Sequence, residues 1–317
     1  MKFKLDANTQ NPTEISEYKH VDAHFMIEEF MLLANIAVAE KISFHFPTFA
    51  IMRRHPRPKD KEIGELSEIL SKCGYEFTVE TSKAFADSLD KADRGPNDPH
   101  FNKLIRIMAT RCMNQAVYFP LGECDLTEAF HYGLACKLYT HFTSPIRRYA
   151  DVLVHRLLAA AIDIASLSND MTDKFKLAKQ CDQMNRKNRQ AAQAGQASTQ
   201  FNTFQFFRTQ RDKNLHVTRA IVMRIAAGAG IYVQIAKYGI ENLLVEDAED
   251  KKGYKCTRIT PDNDEAKVTV VENGKSTEYT VRMFDHVRVE IDAQMVEYRR
   301  SINLRFRGLM TPVEDSN

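Results

Sequence analysis

Between His141 and Leu158 the chain reads His-Phe-Thr-Ser-Pro-Ile-Arg-Arg-Tyr-Ala-Asp-Val-Leu-Val-His-Arg-Leu-Leu. Ser144 is a good N-cap residue, and Pro145 suits the first helical position, where a missing N–H costs nothing. The string therefore predicts a helix over 146–164 with Ser144 at its mouth. Such a mouth offers free N–H donors and the positive end of the helix dipole. Arg147 and Arg148 would add two guanidinium forks there, and that equipment suits a phosphodiester. Ile146, Ala150, Leu153, Val154, Leu157 and Ala161 form the expected buried face. Arg147, Asp151 and His155 fall four residues apart on a separate stripe, on which Asp151 can orient Arg147. A solvated charge stripe is the plainer reading of the same spacing. His141 and His155 lack partner carboxylates nearby and read as hydrogen-bonded residues rather than metal ligands.

Other chemistry-bearing residues lie further out. Lys174, Lys176, Lys179, Arg186, Lys187, Arg189, Arg208, Arg211 and Lys213 face only Asp182 and Asp212 in their span, a basic stripe suited to phosphate contacts. Tyr232 and Tyr238 could offer aromatic faces to bases, with Arg219, Arg224 and Lys237 near for phosphate. Core packing is the competing role for both tyrosines. Gly228-Ala229-Gly230 lacks the G-x-G-x-x-G pattern and reads as a turn. Asp87, Asp90, Asp93 and Asp98 form the densest acidic run, and they read as a solvated face. Glu28 and Glu29 are neighbours in a helical stretch and point about 100° apart, which argues against an acid/base pair.

The elements that must position these residues change character along the chain. Apolar residues from Val21 to Phe44 recur at helical spacing, broadly enough to predict a helix buried on most of its surface. Helices are also expected near 60–72, 81–92, 104–113 and 173–208, and strands at 115–121 and 132–140. From Leu215 onward, short strands near 217–223, 231–235, 243–245, 267–271, 278–283, 286–291 and 300–306 suggest a small barrel. The expected fold class is α+β: a largely helical domain with a mixed sheet over 1–212, an all-β OB-fold barrel over 213–310, and a tail at 311–317. The 317 residues carry a net charge of +2, so any nucleic-acid affinity must come from how charge is distributed. At 44% hydrophobic and 27% charged, the composition is that of a protein with a packed core. No run of 18 apolar residues predicts a membrane span, and the N-terminus shows no secretory h-region. Six cysteines without a C-x-x-C pair predict reduced thiols, not a disulfide scaffold or zinc site.

The string 141–158 resembles the signature of the RNB family, the ribonuclease II type of processive 3′→5′ exoribonucleases. Ile27–Asn35 resembles the family's inner helix, Arg53-Arg54-His55-Pro56 its basic loop, and Ala109–Phe119 its strand-entering helix. Among branches, the wording is most similar to the catalytic exonuclease subunit of the eukaryotic RNA exosome. The resemblance implies that Arg147 contacts the scissile phosphate and that the terminal barrel is an S-one-class OB fold. It implies RNA contacts for Glu28, Asn35, His141, Ser144, Arg148, Tyr149, Gln196, Arg219, Lys237 and Tyr238, with Asp151 orienting. Gln196 falls where bacterial members carry a glutamate that contacts the last nucleotides. The implied cofactor is Mg2+, held in the family by clustered aspartates that read roughly Asp-Ile-Asp-Asp. That cluster is absent here, so no metal ligand is expected within these residues. The chain resembles the C-terminal two-thirds of an RNB domain plus the terminal barrel. The implied partners are single-stranded RNA and exosome core subunits, without a membrane, in nucleus, nucleolus and cytoplasm. On this reading the chain is a portion of an exoribonuclease that is inactive alone. A non-catalytic RNA-binding or exosome-tethering module is the alternative.

Overall fold

A computed structural model describes residues 1–16, 18, 20–209, 217–226, 229–246, 254–261, 265–272 and 275–311. The expected boundary at 212–215, the cations Arg211 and Lys213, Gly228 and most of the tail lie outside the described residues. In chain order the elements begin with β1 (Lys2–Leu5), β2 (Pro12–Ser16), α1 (Asp22–His45) and β3 (Ile51–Arg54). Then come α2 (Asp60–Lys72), α3 (Ser82–Lys91), α4 (Phe101–Cys112), β4 (Val117–Pro120), α5 (Tyr149–Ala161), α6 (Asn169–Thr172) and α7 (Lys174–Thr209). The remainder is β5 (Val217–Ala226), β6 (Gly230–Ile235), β7 (Ile240–Leu243), β8 (Tyr254–Pro261), β9 (Glu265–Glu272), β10 (Lys275–Arg282), β11 (His286–Val296) and β12 (Arg299–Met310). The chain divides into two compact units.

One unit comprises His20–Asp93 and Ile105–Ala194. Its core joins Val38, Ala39 and Ile42 of α1 to Ile51 and Met52 of β3, Phe119 of β4, and Leu153, Val154 and Leu157 of α5. Only the C-terminal half of α1 is packed this way. Residues 21–30 are all exposed, among them Phe25, Met26, Ile27 and Phe30, so the expected burial on most of the helix does not hold for the elements described. Strands β3 and β4 pair antiparallel, from Ile51 opposite Pro120 to Arg54 opposite Val117. Beyond these two strands, an isolated parallel bridge joins His55 to His131. The strand expected over 132–140 is instead a 3-10 turn at Tyr132–Leu134, ended by Ala135 in the left-handed region at φ 51°. The period-two text there does not become alternating burial: His131 and Tyr132 at one end and Tyr139 and Thr140 at the other are buried, residues 133–135 between them are exposed, and the hydroxyl of Thr140 donates to Ile51 O.

The other unit comprises Met1–Lys19, Arg94–Leu104 and Gly195–Asn317. Its largest sheet has the order β12-β11-β5-β6-β7. Leu244, just past β7, makes a parallel bridge to Leu304 on β12, which returns the last strand to the first. Curling and closing in this order gives the OB arrangement. Along β6 the alternation is plain: Ile231, Val233 and Ile235 have no exposed surface and fill the barrel with Val222, Val287, Val289 and Phe306. Phe204, Phe206 and Phe207, near the end of α7, pack into the same core. Two strands expected as barrel staves, β9 and β10, form a separate meander with β8, in the order β10-β9-β8. Asp98 departs from the solvated face: it is buried, with His286 Nε2 at 3.1 Å and Arg94 at 3.5 Å.

Candidate nucleic-acid interface

The helix of the arginine string begins later than its sequence suggests. Residues 145–147 form a turn in which Ser144 O accepts from Arg147 N at 3.3 Å and Arg148 N at 3.1 Å. Arg148 is the N-cap residue, in extended conformation, and α5 starts at Tyr149. Ser144 is therefore not the cap and Pro145 is not the first helical residue. Asp151 explains the shift. Its carboxylate has no exposed surface and accepts from Ser144 N at 2.7 Å and from Arg148 Nε and Nη2 at 2.8 Å each. An acid at the third helical position is favoured by the dipole, and it folds the preceding turn back onto itself. Asp151 thus orients Arg148 and not Arg147. Arg147 stands on the turn, exposed, and its guanidinium makes no hydrogen bond or ion pair among the described residues. Ile146, expected in the core, is fully exposed beside it because the turn lifts it off the helix.

Arg147 opens onto a cleft of about 600 Å³, lined also by Arg53, Arg148 and Lys187 and by Tyr118, His141 and Tyr149. No Asp or Glu is among its lining residues. Arg53 stacks over the Tyr118 ring at 4.8 Å, and the Tyr118 hydroxyl lies 2.6 Å from His141 Nδ1. Burial pushes the His141 pKa down to about 3, helped by Arg53, Arg148, His131 and Arg147. A neutral imidazole shares a hydrogen bond with the Tyr118 hydroxyl and adds no charge of its own. Asn185 of α7 clamps Tyr118 from behind: its Oδ1 accepts from Tyr118 N at 2.7 Å and its Nδ2 donates to Tyr118 O at 2.8 Å. Helical periodicity then decides which α7 residues reach the cleft. Gln180, Gln183, Met184, Lys187, Asn188 and Ala191 repeat at three and four residues and line it. Lys179, Arg186 and Arg189 lie on the adjoining face with Arg54, where Glu123 and Asp182 offset them. Lys176 is held by Asp170 at 2.6 Å. The basic stripe is therefore split, and of its described members Lys187 serves this cleft.

The other expected contacts are dispersed. Asn35 has no exposed surface: its Nδ2 donates to Tyr139 Oη at 3.0 Å and its Oδ1 accepts from Phe142 N at 2.8 Å. It holds the arginine string in place and cannot touch RNA. Glu28 is exposed on α1 but does not line the cleft. His155 stacks on Phe142 at 4.3 Å and bonds to Phe142 O, as a structural histidine does. In the barrel unit, Gln196 is exposed on α7. Tyr238 is buried, with Phe207 edge-on at 4.9 Å, so it belongs to the core and offers no stacking face. Lys237 is exposed, and Arg219 is buried with Nη2 donating to Thr311 O. Tyr232 is the accessible ring, half-buried under the Arg224 guanidinium at 4.3 Å. Asn185 escapes the sequence argument, and so does the meeting of Arg53 on β3 with Lys187 on α7 at one cleft, because nothing in their spacing announces that these elements converge.

Magnesium wants several carboxylate oxygens in one place. Among the described residues, no three His, Cys, Asp or Glu side chains come together. Asp151, the carboxylate next to the cleft, is spent on Arg148 and Ser144. The residues present do not fit the metal. The described cysteines 73, 112, 124, 136 and 181 are free thiols. No described helix is long and apolar enough to cross a membrane.

Fold and cleft together define an α+β chain that ends in an OB-type barrel and offers converging cations to an anionic ligand. Residues 1–164 match the RNB domain and residues 216–303 the S1 domain. The chain belongs to the RNB family. Among curated relatives, the exosome complex exonuclease RRP44 of Homo sapiens is 36% identical over 323 residues, covering 100% of this chain and 32% of that protein. RRP44 homolog A of Arabidopsis thaliana is 41% identical over 291 residues, covering 92% and 30%. Among solved structures, RNase R of Mycoplasma genitalium in complex with ribose methylated single-stranded RNA has a TM-score of 0.70. It is 20% identical and covers 96% of this chain and 45% of that one. Yeast Ssd1, described as a pseudonuclease, has a TM-score of 0.71 at 19% identity, covering 91% and 45%. Both likenesses speak to the fold. The chain spans about a third of the length of these curated relatives.

Proposed function

We propose that the chain is a portion of a 3′→5′ exoribonuclease that grips single-stranded RNA for hydrolysis to nucleoside monophosphates. The observation that carries this reading is Arg147: an exposed, uncommitted guanidinium at the mouth of a cleft with four cations and no acid. Arg148 is fixed by Asp151 and contributes charge, while Arg147 can turn its fork onto phosphate oxygens. Tyr149 and Tyr118 supply ring surface beside it. The metal-holding carboxylates would come from polypeptide outside these 317 residues, and the chain alone would not hydrolyse RNA. The names of the curated relatives support exosome core subunits as partners, and rRNA processing in nucleus, nucleolus and cytoplasm follows as part of the proposal.

A second reading is a non-catalytic RNA-binding or exosome-tethering module. It is favoured by the lack of a three-ligand cluster among the described residues and by Ssd1, which combines this fold with the description pseudonuclease. The two readings separate in one assay. The purified chain is incubated with 5′-labelled oligoribonucleotide and Mg2+, alone and after co-expression with a polypeptide bearing the family's aspartate segment. Stepwise 3′ shortening that needs the added segment, and is lost in Arg147→Ala, supports the nuclease reading. Binding without shortening in both arms supports the tethering module.

A further inference from the structure

Strands β3 and β4 form a two-stranded sheet, so the outer edge of each must find its hydrogen-bond partners elsewhere. Arg53 and Tyr118 stand directly opposite each other in that sheet. Their backbones turn outward: Arg53 N donates to Tyr139 O at 2.7 Å, and both Tyr118 N and Tyr118 O are engaged by a side chain of α7. A cross-strand pair of this kind brings its side chains closest, and the Arg53 guanidinium lies on the Tyr118 ring at 4.8 Å. The α7 side chain is Asn185, which takes the place of a third strand. Its Oδ1 accepts from Tyr118 N at 2.7 Å, and its Nδ2 donates to Tyr118 O at 2.8 Å. A carboxamide carries an acceptor and a donor in one fork, so it can satisfy both backbone groups at once. Asn185 does not itself line the Arg147 cleft, whereas Arg53, Tyr118 and His141 do. Arg53 makes no ion pair among the described residues, and the Tyr118 ring is what it rests on. Tyr118 is 7% exposed and its hydroxyl meets His141 Nδ1 at 2.6 Å, so any shift of its backbone moves ring and hydroxyl together.

We propose that Asn185 is a positioning residue of this cleft: by holding both outward backbone groups of Tyr118 it keeps the ring beneath Arg53 and so aims that guanidinium at an anionic strand. The consequence for binding rests on the function proposed above, and the placement of Arg53 does not. Two measurements on the full chain separate them. The first is NMR of chain carrying isotope-labelled arginine, as wild type, Asn185→Ala and Arg53→Ala. Arg53 side-chain protons over the ring should carry an upfield ring-current shift, identified by its loss in Arg53→Ala, and Asn185→Ala should remove most of that shift. The second is anisotropy with labelled hexauridylate for the same chains and the double variant, at a temperature where each is folded. Asn185→Ala should weaken binding about tenfold, and only about twofold once Arg53 is already replaced, because residues acting through one contact are not additive. A residue that merely stabilised the fold would lower the melting temperature without that coupling. Should Asn185→Ala not fold, Asn185→Ser, whose hydroxyl can serve only one of the two backbone groups well, enters both measurements with the same expected direction. A ring-current shift retained in the Asn185 variant would overturn the proposal. So would equal losses of affinity with and without the Arg53 side chain, or normal binding by the Asn185 variant where Arg53→Ala binds weakly. A lost shift with hexauridylate binding intact in both Asn185→Ala and Arg53→Ala would support the positioning role and count against RNA as the ligand of the cleft.

Discussion

Asp151 is buried, ionisable and encircled by three donors, and that fixes what each neighbouring arginine can do. Arg148 neutralises it. Removing one partner of a buried pair leaves an uncompensated charge, which costs on the order of 3–5 kcal/mol. Arg148→Ala should therefore lower the denaturant midpoint sharply, whereas Arg147→Ala should stay within about 0.5 kcal/mol of wild type. Equal effects from the two would refute this division of labour. The histidines supply a second test. His141 and His131 are held neutral by burial, with pKa values pushed from 6.5 down to about 3 and about 4. The unfolded chain takes up these protons first as pH falls. Stability present above pH 6.5 is thus lost on acidification, already between pH 6.5 and 5, before most carboxylates titrate. A His131→Asn, His141→Gln double variant should show a flatter melting temperature over that window. An unchanged slope would mean that other groups carry it.

At the scale of elements, strand alternation reverses the order in which the sequence ranks two tyrosines, Tyr238 as the expected RNA contact ahead of Tyr232. Tyr238 packs on Phe207 inside the barrel, and Tyr232 lies on the opposite surface of β6 from Ile231 and Val233. Tyr232→Ala should weaken RNA binding by about 1–3 kcal/mol, the worth of one stacked base. Tyr238→Phe should leave binding unchanged, and anisotropy with oligouridylate checks both. Most elements were legible: α2, α3, α4, α7 and the barrel strands carry clear periods bounded by turn residues. The start of α5 was not. Ser-Pro is a strong local start signal, and it lost to a tertiary event, the capture of Ser144 N and Arg148 by Asp151. Asn35 is an expected RNA contact through the resemblance alone, and no local pattern announces its two partners, Tyr139 and Phe142, more than a hundred residues away. Arg147 itself was legible through the motif, but its freedom was not, since freedom depends on where Asp151 points.

At the scale of the molecule, the first turns of α1 carry Phe25 at 54%, Phe30 at 63% and Leu33 at 64% exposure. Exposed apolar patches of that kind mark contact surfaces. The purified chain should bind a hydrophobic dye and self-associate as concentration rises, and Phe25→Glu with Phe30→Glu should reduce both without lowering the melting temperature. A net charge of +2 hides the feature that matters more, the convergence of Arg53, Arg147, Arg148 and Lys187 from separate elements onto one cleft. The central claim is that RNA enters this cleft by its backbone, with Arg147 as a free phosphate contact. It is tested most directly by the salt dependence of single-stranded RNA affinity for wild type and Arg147→Ala. Each phosphate contact on a single strand contributes a log–log slope of about −0.7. The account predicts that Arg147→Ala weakens binding and makes the slope shallower by about that amount, with the melting temperature unchanged. An unaltered slope and affinity in Arg147→Ala would contradict it.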